Sequence, residues 1–172
     1  MERQAHRKIV LVGFMGTGKS TVSKLIAERL GWERFDSDEE IERRERKQIP
    51  QLFETVGEAG FREIESSVID TLLSGPNDAV IATGGGAVLL ERNRERMLAN
   101  SYVVALTASA ERIITRVKSD TSRPLLQGDV AANVHRIMEQ RKHAYDFAHL
   151  KLDTSGMSAF EAADAIMERI NY

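Results

Sequence analysis

The 172-residue chain contains no cysteine, which excludes disulfides and thiolate-bound metals and is typical of a reducing cytoplasm. It has no excess of basic residues: 24 Lys and Arg against 26 Asp and Glu give a net charge of −2, whereas proteins that bind nucleic acid are usually basic. No apolar run approaches the roughly 20 residues that span a bilayer, and residues 9–12 are too few for a signal peptide. We therefore expect a cytoplasmic protein without a membrane or nucleic-acid partner.

Only three prolines interrupt the chain, and its length suits one domain with a real hydrophobic core. Short apolar runs alternate with longer segments of helical spacing, a pattern that predicts an α/β fold with a parallel sheet and helices on both faces. The predicted strands are residues 9–12, 34–35, 79–82, 102–106 and 149–152. The predicted helices are residues 20–30, 38–46, 49–55, 57–73, 91–100, 109–118, 130–148 and 159–170.

Capping boxes, in which a serine is followed three residues later by a glutamate, mark two helix starts. Ser37 with Glu40 predicts a helix that begins near residue 38. Ser158 with Glu161 predicts the start of the last helix.

Residues 13–20 read G-F-M-G-T-G-K-S and match the phosphate-binding pattern G-x-x-x-x-G-K-[ST] between a predicted strand and a predicted helix. In such a loop the backbone N–H groups converge on phosphate oxygens at the positive end of the helix dipole. Lys19 can reach the terminal phosphates, and the Ser20 hydroxyl can coordinate Mg²⁺. The chain has no N-K-x-D stretch that would read guanine, so we expect ATP.

A carboxylate that helps to hold Mg²⁺ usually follows a later strand. The strand at 79–82 is followed instead by T-G-G-G, so Asp36 and Asp38 are the candidates. Their alternation places both on one side of an extended segment, at the edge where parallel strands end. One could assist the metal while the other orients or deprotonates an acceptor hydroxyl. The alternative for Asp38 is that it only caps the following helix.

Three arginines also attract attention: Arg62, Arg123 and Arg141. Each one alone is most simply a surface ion pair. Their number and placement favour a functional role more than any one of them would alone.

Six motifs, in order along almost the whole chain, together resemble the shikimate kinase family. They are G-F-M-G-T-G-K-S-T at 13–21, F-D-S-D at 35–38, the segment 57–65 with Gly57, Glu58, Phe61, Arg62 and Glu65, T-G-G-G at 83–86, R-P-L-L at 123–126, and Arg141, Tyr145 and Ala148.

The resemblance implies a P-loop kinase fold in one domain over residues 1–172, with a five-stranded parallel sheet. An acceptor-binding region over residues 36–65 and a mobile lid over residues 119–129 are implied as well. The implied reaction is transfer of the γ-phosphoryl group of ATP to the 3-hydroxyl of shikimate, in the pathway to chorismate and the aromatic amino acids. The implied partner is this small molecule alone, and a monomer is expected.

The resemblance also implies roles for the matched positions. Asp38 would bind the ring hydroxyls, Arg62 and Arg141 would clamp the carboxylate, and Asp36 would reach the metal with Ser20. Lys19, Asp38 and Arg123 would be catalytic, with Arg123 on the lid, and Arg116 would lie beside the adenine. The implied ATP contacts are Gly16, Thr17, Gly18, Lys19, Ser20, Thr21, Arg116 and Arg123. The implied shikimate contacts are Asp38, Arg62, Gly84, Gly85, Gly86 and Arg141.

Three other interpretations share the phosphate loop. A gluconate or nucleotide kinase would have the same fold, although a nucleotide acceptor needs arginines that bind a phosphate. A non-enzymatic ATP-dependent switch would not need Asp38 or Arg62. An ATPase that acts on nucleic acid is disfavoured by charge and length.

Overall fold

Five parallel strands form one sheet in the order β2-β3-β1-β4-β5. The computed structural model describes residues 7–118 and 128–170, and the structural statements below concern these residues. All four strand pairs are parallel, which confirms the predicted sheet. The strands are β1 (Lys8–Gly13), β2 (Glu33–Asp36), β3 (Ala79–Ala82), β4 (Tyr102–Thr107) and β5 (Leu150–Asp153).

Helices connect the strands and cover the sheet, and most begin and end within two residues of the predicted positions. None of the described helices is long and apolar enough to cross a membrane. The helices are α1 (Lys19–Leu30), α2 (Ser37–Glu45), α3 (Ile49–Ser74), α4 (Glu91–Asn100), α5 (Ala110–Val117), α6 (Val130–Gln140) and α7 (Ala159–Ile170).

The central strand β1 shows why helices lie on both faces of the sheet. Its apolar side chains alternate in direction, as in any strand, and all of them are buried. Ile9 and Leu11 pack against α1 and α7, whereas Val10 and Val12 belong to the apolar cluster that contains residues of α3, α4 and α5. A continuous apolar run is therefore required here, because neither face of this strand meets water.

The prediction of one long helix over residues 130–148 is wrong, because α6 ends at Gln140. Beyond it the backbone forms tighter turns, in which Ala144 N–H donates to the Arg141 carbonyl and Ala148 N–H to the Tyr145 carbonyl. Apolar spacing continues across this boundary without glycine or proline, so the local sequence contains no stop signal. The turns direct Arg141 and Tyr145 toward the carboxyl edge of the sheet, where they contact Gly85.

The capping box predicted at Ser37 is also wrong. Asp36 is the N-cap of α2, and its Oδ1 accepts hydrogen bonds from the backbone N–H groups of Asp38 and Glu39. Ser37 is fully buried, and its hydroxyl accepts a hydrogen bond from Gly84 N–H at 3.1 Å. The alternative in which Asp38 serves only as the cap is therefore wrong. The box between Ser158 and Glu161 is confirmed, with both reciprocal hydrogen bonds present.

Helix α3 is interrupted at Gly57, which has φ 72° and ψ 176°. This backbone conformation is open to glycine and costly for other residues. The prediction of two helical segments in this part of the chain agrees with the break. The second segment carries Arg62 and Glu65 toward the carboxyl edge of the sheet, where the functional site lies.

Candidate active site

The loop between β1 and α1 has the geometry of a phosphate-binding loop. Gly18, which precedes α1, has φ 98°, in the left-handed region that glycine adopts freely. A Cβ atom on Gly13 would collide with the carbonyl of Leu106 on β4, so the loop packs directly on the neighbouring strand. The first N–H groups of α1 are thereby aimed over the central strands, at the positive end of the helix dipole.

Lys19 follows this loop as the first residue of α1 and is buried, with 9% of its surface exposed. Its ammonium group donates to the carbonyls of Gly13 at 2.6 Å and Phe14 at 2.9 Å. The side chain is therefore held over the loop, at the place where a terminal phosphate would meet the N-terminus of α1.

A cavity of about 480 Å³ opens above the loop. Every predicted ATP contact within the described residues lines it, including Arg116, which donates from NH1 to the carbonyl of Gly16 at 2.7 Å. Arg123 and most of the predicted lid, residues 119–127, lie outside the described residues. The lining residues predicted as ATP contacts are Gly16, Thr17, Gly18, Lys19, Ser20, Thr21 and Arg116.

The resemblance implies the last adenine contact near residues 156–158, although no motif in the sequence names the residues of this far wall of the cavity. Thr154, Met157, Ser158 and Ala159 line it, between the end of β5 and the start of α7. The hydroxyl of Thr154 donates to the carbonyl of Thr17, which fixes this wall to the phosphate loop. Only the capping box at Ser158 marks this segment in the sequence, and that motif indicates a helix start rather than a ligand.

Ser20 and Asp36, the predicted metal ligands, meet in the cavity. The hydroxyl of Ser20 donates to Asp36 Oδ2 at 3.0 Å, and the guanidinium of Arg34 lies 3.6 Å from the same oxygen. Both are hard oxygen donors of the kind that Mg²⁺ prefers. No group of three His, Asp or Glu side chains that could hold a metal occurs among the described residues. The pair therefore fits an ion that takes its other ligands from phosphate oxygens and water.

The glycine segment Gly84–Gly86 follows β3 and touches the charged residues of the predicted acceptor site. A Cβ atom on Gly84 would lie 2.7 Å from Asp38 Oδ1 and 3.0 Å from Glu65 Oε2. One on Gly86 would overlap the guanidinium of Arg62. Backbone and charged side chains can approach this closely only because these residues have no side chain.

Arg62 and Arg141 are buried, with 8% and 5% of their surfaces exposed. NH1 of Arg62 lies 3.0 Å from Glu65 Oε1, and NH1 of Arg141 lies close to Gly85, at 3.5 Å from where a Cβ atom would stand. Arg62 Nε and Arg141 NH1 have no hydrogen-bond partner within the described part of the chain. Buried donors without a partner are rare, so both guanidinium groups are suited to an anionic ligand.

These two arginines do not line the 480 Å³ cavity, whose described lining ends at Gly84 and Gly85. They contact the glycine segment, and Arg141 also borders a second cavity of about 210 Å³ beside Phe14. The glycine segment therefore borders the nucleotide cavity and also contacts both arginines.

Two residues of the quoted motifs, Glu65 and Tyr145, received no role from the sequence, because only the folded chain reveals their burial and contacts. Glu65, quoted in a motif without a role, is 1% exposed, and burial raises the pKa of its carboxyl although Arg62 and Arg141 oppose the rise. Tyr145 donates its hydroxyl to the carbonyl of Gly85 at 2.8 Å, and burial raises the pKa of this phenol too. In the sequence, Tyr145 appears in the motif with Arg141 and Ala148, to which no role for Tyr145 was attached.

Comparison with known protein families identifies the function of this site. The family model described as shikimate kinase matches residues 15–171. The chain belongs to the shikimate kinase family. Membership confirms the resemblance seen in the sequence, the P-loop kinase fold and the enzyme class. This shikimate kinase family member is an ATP-using phosphotransferase of aromatic amino-acid biosynthesis that acts on a hydroxyl group of shikimate. The family assignment excludes the three other interpretations of the phosphate loop: another kinase of the same fold, a non-enzymatic switch and an ATPase that acts on nucleic acid.

Individual relatives agree with the family assignment over nearly the full chain. A shikimate kinase from Geobacter sulfurreducens is 45% identical over 161 residues, which cover 93% of this chain and 88% of the relative. One from Persephonella marina is 40% identical over 164 residues, covering 95% and 99%. The solved structure of the shikimate kinase from Acinetobacter baumannii in complex with shikimate is 39% identical, with a TM-score of 0.91 and coverage of 95% and 92%.

Proposed function

We propose that this enzyme transfers the γ-phosphoryl group of ATP to the 3-hydroxyl of shikimate, which gives shikimate 3-phosphate and ADP. One observation carries the proposal: the glycine segment lines the phosphate-loop cavity at Gly84 and Gly85 and also contacts two buried guanidinium groups, each with a nitrogen that has no hydrogen-bond partner among the described residues. A small molecule at this segment would have its hydroxyls beside Asp38 and its carboxylate beside Arg62 and Arg141.

The nucleotide side of the proposal assigns the triphosphate to the loop amides and Lys19. Phosphoryl transfer spreads negative charge over the phosphate oxygens, so a fixed positive field lowers the barrier. Lys19 needs little movement to supply it, since its ammonium already lies over the loop. Arg116 would lie beside the adenine, and Arg123 would reach the transferring group from the lid.

The residues that would hold Mg²⁺ are Ser20, through its hydroxyl, and Asp36, directly or through water. The ion would supply charge neutralisation at the phosphates. Asp36 has a second task that the structure explains: its Oδ1 caps α2 while its Oδ2 faces Ser20. The cap therefore fixes the direction of the oxygen that would face the metal.

The acceptor side assigns the hydroxyls to Asp38 and the carboxylate to the two arginines. Planar guanidinium groups bind carboxylates in two parallel hydrogen bonds, which fixes orientation as well as affinity. Asp38 Oδ1 lies against Gly84, at the boundary with the nucleotide cavity, where it can accept a hydrogen bond from the hydroxyl that attacks. Gly85 offers its backbone to the ring.

We also propose that the enzyme is one domain and acts as a monomer in the cytoplasm, without nucleic-acid or membrane partners. The near balance of charges supports the absence of a nucleic-acid partner, and the absence of cysteine is typical of a reducing cytoplasm. Sedimentation equilibrium, with and without ligands, tests the oligomeric state.

A coupled assay of ADP release tests the reaction. With Mg-ATP, purified enzyme is expected to release ADP rapidly only when shikimate is added. Product analysis by phosphorus NMR identifies the hydroxyl that receives the phosphoryl group. Equal turnover with gluconate or a nucleoside monophosphate would reject the proposal.

Two variants separate the two sides of the site. Lys19→Ala is expected to abolish turnover and leave shikimate binding largely intact, because the charge it removes faces the phosphates.

Arg141→Ala is expected to raise the KM for shikimate strongly and to change the KM for ATP little. Lys142→Ala is the matched control, since Lys142 is exposed and pairs with Glu139. If Arg141→Ala weakens only ATP binding, the carboxylate assignment is wrong.

A further inference from the structure

Two guanidinium groups and two carboxylates of the described residues meet around the glycine segment. Arg62 NH1 lies 3.0 Å from Glu65 Oε1, and NH1 of Arg141 lies near Gly85. Asp38 Oδ1 and Glu65 Oε2 both come within 3.0 Å of the point where a Gly84 Cβ atom would stand. The formal charges of these groups cancel before an acceptor enters.

Glu65 is the least solvated of these groups, with 1% of its surface exposed. Its Oε1 is paired with Arg62, whereas its Oε2 has no hydrogen-bond partner within the described residues. A buried carboxylate stays ionised only while nearby cations compensate for the lost hydration. Arg62 and Arg141 supply that compensation, and burial nevertheless holds the pKa of Glu65 above its ordinary value.

Charged and titratable groups face this pocket from several elements. Glu58, on the same helix, lies 3.5 Å from the guanidinium of Arg62 but is half exposed, so water screens it. The hydroxyl of Tyr145 is engaged as a donor to Gly85. The groups near Glu65 are Arg62 and Glu58 from α3, Asp38 from α2, and Arg141 and Tyr145 from the turns after α6.

The proposed acceptor brings one more negative charge into this balanced pocket. Its carboxylate would take up the free hydrogen-bonding capacity of Arg62 and Arg141, so these guanidinium groups would stabilise the Glu65 carboxylate less. An uncompensated buried charge is costly, and the least expensive way to remove it is to protonate the oxygen that has no partner.

We propose that Glu65 takes up a proton from solvent when shikimate binds and returns it when the ligand leaves. The O–H bond forms at Oε2, and no other bond is made or broken. This inference rests on the proposed acceptor site. It implies that shikimate binds more weakly as pH rises, by up to about tenfold per pH unit between the two pKa values of Glu65.

Isothermal titration of shikimate into the enzyme tests the proposal directly. At one pH, the binding enthalpy is measured in two buffers with different heats of protonation, and the difference gives the number of protons taken up. We expect a positive value, up to one proton per shikimate bound. Glu65→Gln should abolish it, because the amide can still accept from Arg62 but cannot titrate.

Glu58→Gln is the matched control: the same substitution, on the same helix, at the other acidic neighbour of Arg62. It should leave the proton uptake unchanged. Asp38→Asn tests the second carboxylate of the pocket, and loss of the uptake in this variant alone would assign the proton to Asp38 and overturn the proposal. Full uptake retained in Glu65→Gln would do the same.

The wild-type enzyme gives an answer even if Glu65→Gln fails to fold. Infrared difference spectra with and without shikimate should show a new carbonyl band of a protonated carboxylic acid. Shikimate binding with no proton uptake and no such band would refute the inference and leave the proposed function standing. Absence of shikimate binding would refute both.

Discussion

Glycine at positions 84 and 86 decides how close the charges of the acceptor site can come. Asp38 and Glu65 both approach Gly84, and the guanidinium of Arg62 covers Gly86. Neither glycine has a φ in the left-handed region, so their backbone conformations are open to any residue. The requirement at both positions is therefore space, rather than backbone freedom.

Gly86→Ala tests this requirement. The new methyl group overlaps the Arg62 guanidinium, which must move away from the acceptor. Loss of one charge-assisted contact is worth about 1.5–3 kcal/mol, so the KM for shikimate should rise roughly tenfold or more while the KM for ATP changes little. Steady-state kinetics with each substrate varied in turn measures the two effects.

Gly75→Ala is the control for this substitution. Gly75 ends α3 with φ −61°, and its added Cβ atom would lie 3.5 Å from the nearest carbonyl, an ordinary contact. Both KM values should stay close to those of the parent enzyme. A rise in the KM for ATP equal to that for shikimate in Gly86→Ala would show a general distortion instead of displacement of Arg62.

At the scale of elements, a buried polar network joins α3 and α4 to the chain after the glycine segment. The amide of Asn93 on α4 donates to the Ala87 carbonyl at 2.9 Å and accepts from the Ser66 hydroxyl of α3 at 2.7 Å. Asn93 is fully buried, and Ser66 is almost so. This network fixes the glycine segment against the helix that carries Arg62.

Asn93→Ala should remove both links at once. The variant leaves the Ala87 carbonyl and the Ser66 hydroxyl with fewer partners, at a cost of about 1–3 kcal/mol in the free energy of unfolding. Urea denaturation followed by circular dichroism measures this loss, and the KM for shikimate should rise with it. Asn100→Ala, at the exposed end of the same helix, should change both little. Equal destabilisation by the two variants would contradict the role of the network.

The starts of α2 and α7 show when a local capping motif predicts the N-cap of a helix correctly. Ser158 caps α7 as predicted: its hydroxyl accepts a hydrogen bond from Glu161 N–H at this exposed turn. Ser37 has the same pattern with Glu40 and does not cap α2, because its hydroxyl is buried against Gly84 and Asp36 occupies the cap. The capping motif is a local pattern, whereas the choice between Asp36 and Ser37 as the N-cap depends on Gly84, which follows the neighbouring strand β3.

At the scale of the whole molecule, parallel strands bring the site together. Their carboxyl ends share one edge, so the loops after β1, β2 and β3 meet although they are far apart in the sequence. The phosphate loop follows the central strand β1, between β3 and β4. The acceptor residues Asp38 and Gly84 follow β2 and β3, and the cavity wall at Thr154 follows β5.

The free energy of unfolding of the ligand-free enzyme should depend on pH through the titration of Glu65. Burial raises the pKa of this group in the folded state, so the folded protein binds more protons than the unfolded chain between the two pKa values. The stabilising contribution is fully present below the unfolded pKa and is lost as pH rises through the folded pKa. Urea unfolding of the parent and of Glu65→Gln at a series of pH values measures it.

The difference in unfolding free energy, parent minus Glu65→Gln, should fall with rising pH, by about 1.4 kcal/mol for every pH unit that separates the two pKa values. Exposed carboxyls such as Asp146 are the same in both proteins, so their contributions cancel in this difference. A difference that stays constant or grows with pH would show that the folded state does not raise this pKa.

Local patterns in the sequence were enough to predict the strands, from their apolar runs, and the phosphate loop, from G-x-x-x-x-G-K-S between a strand and a helix. It also singled out Asp36, Asp38, Arg62 and Arg141, because a set of motifs in order is far more specific than any one residue. The folded chain was needed to show that α6 ends at Gln140, that Glu65 is buried beside Arg62, and that Asn93 links α3 and α4 to the chain after the glycine segment. These features depend on contacts between residues far apart in the sequence, and no local motif specifies such contacts.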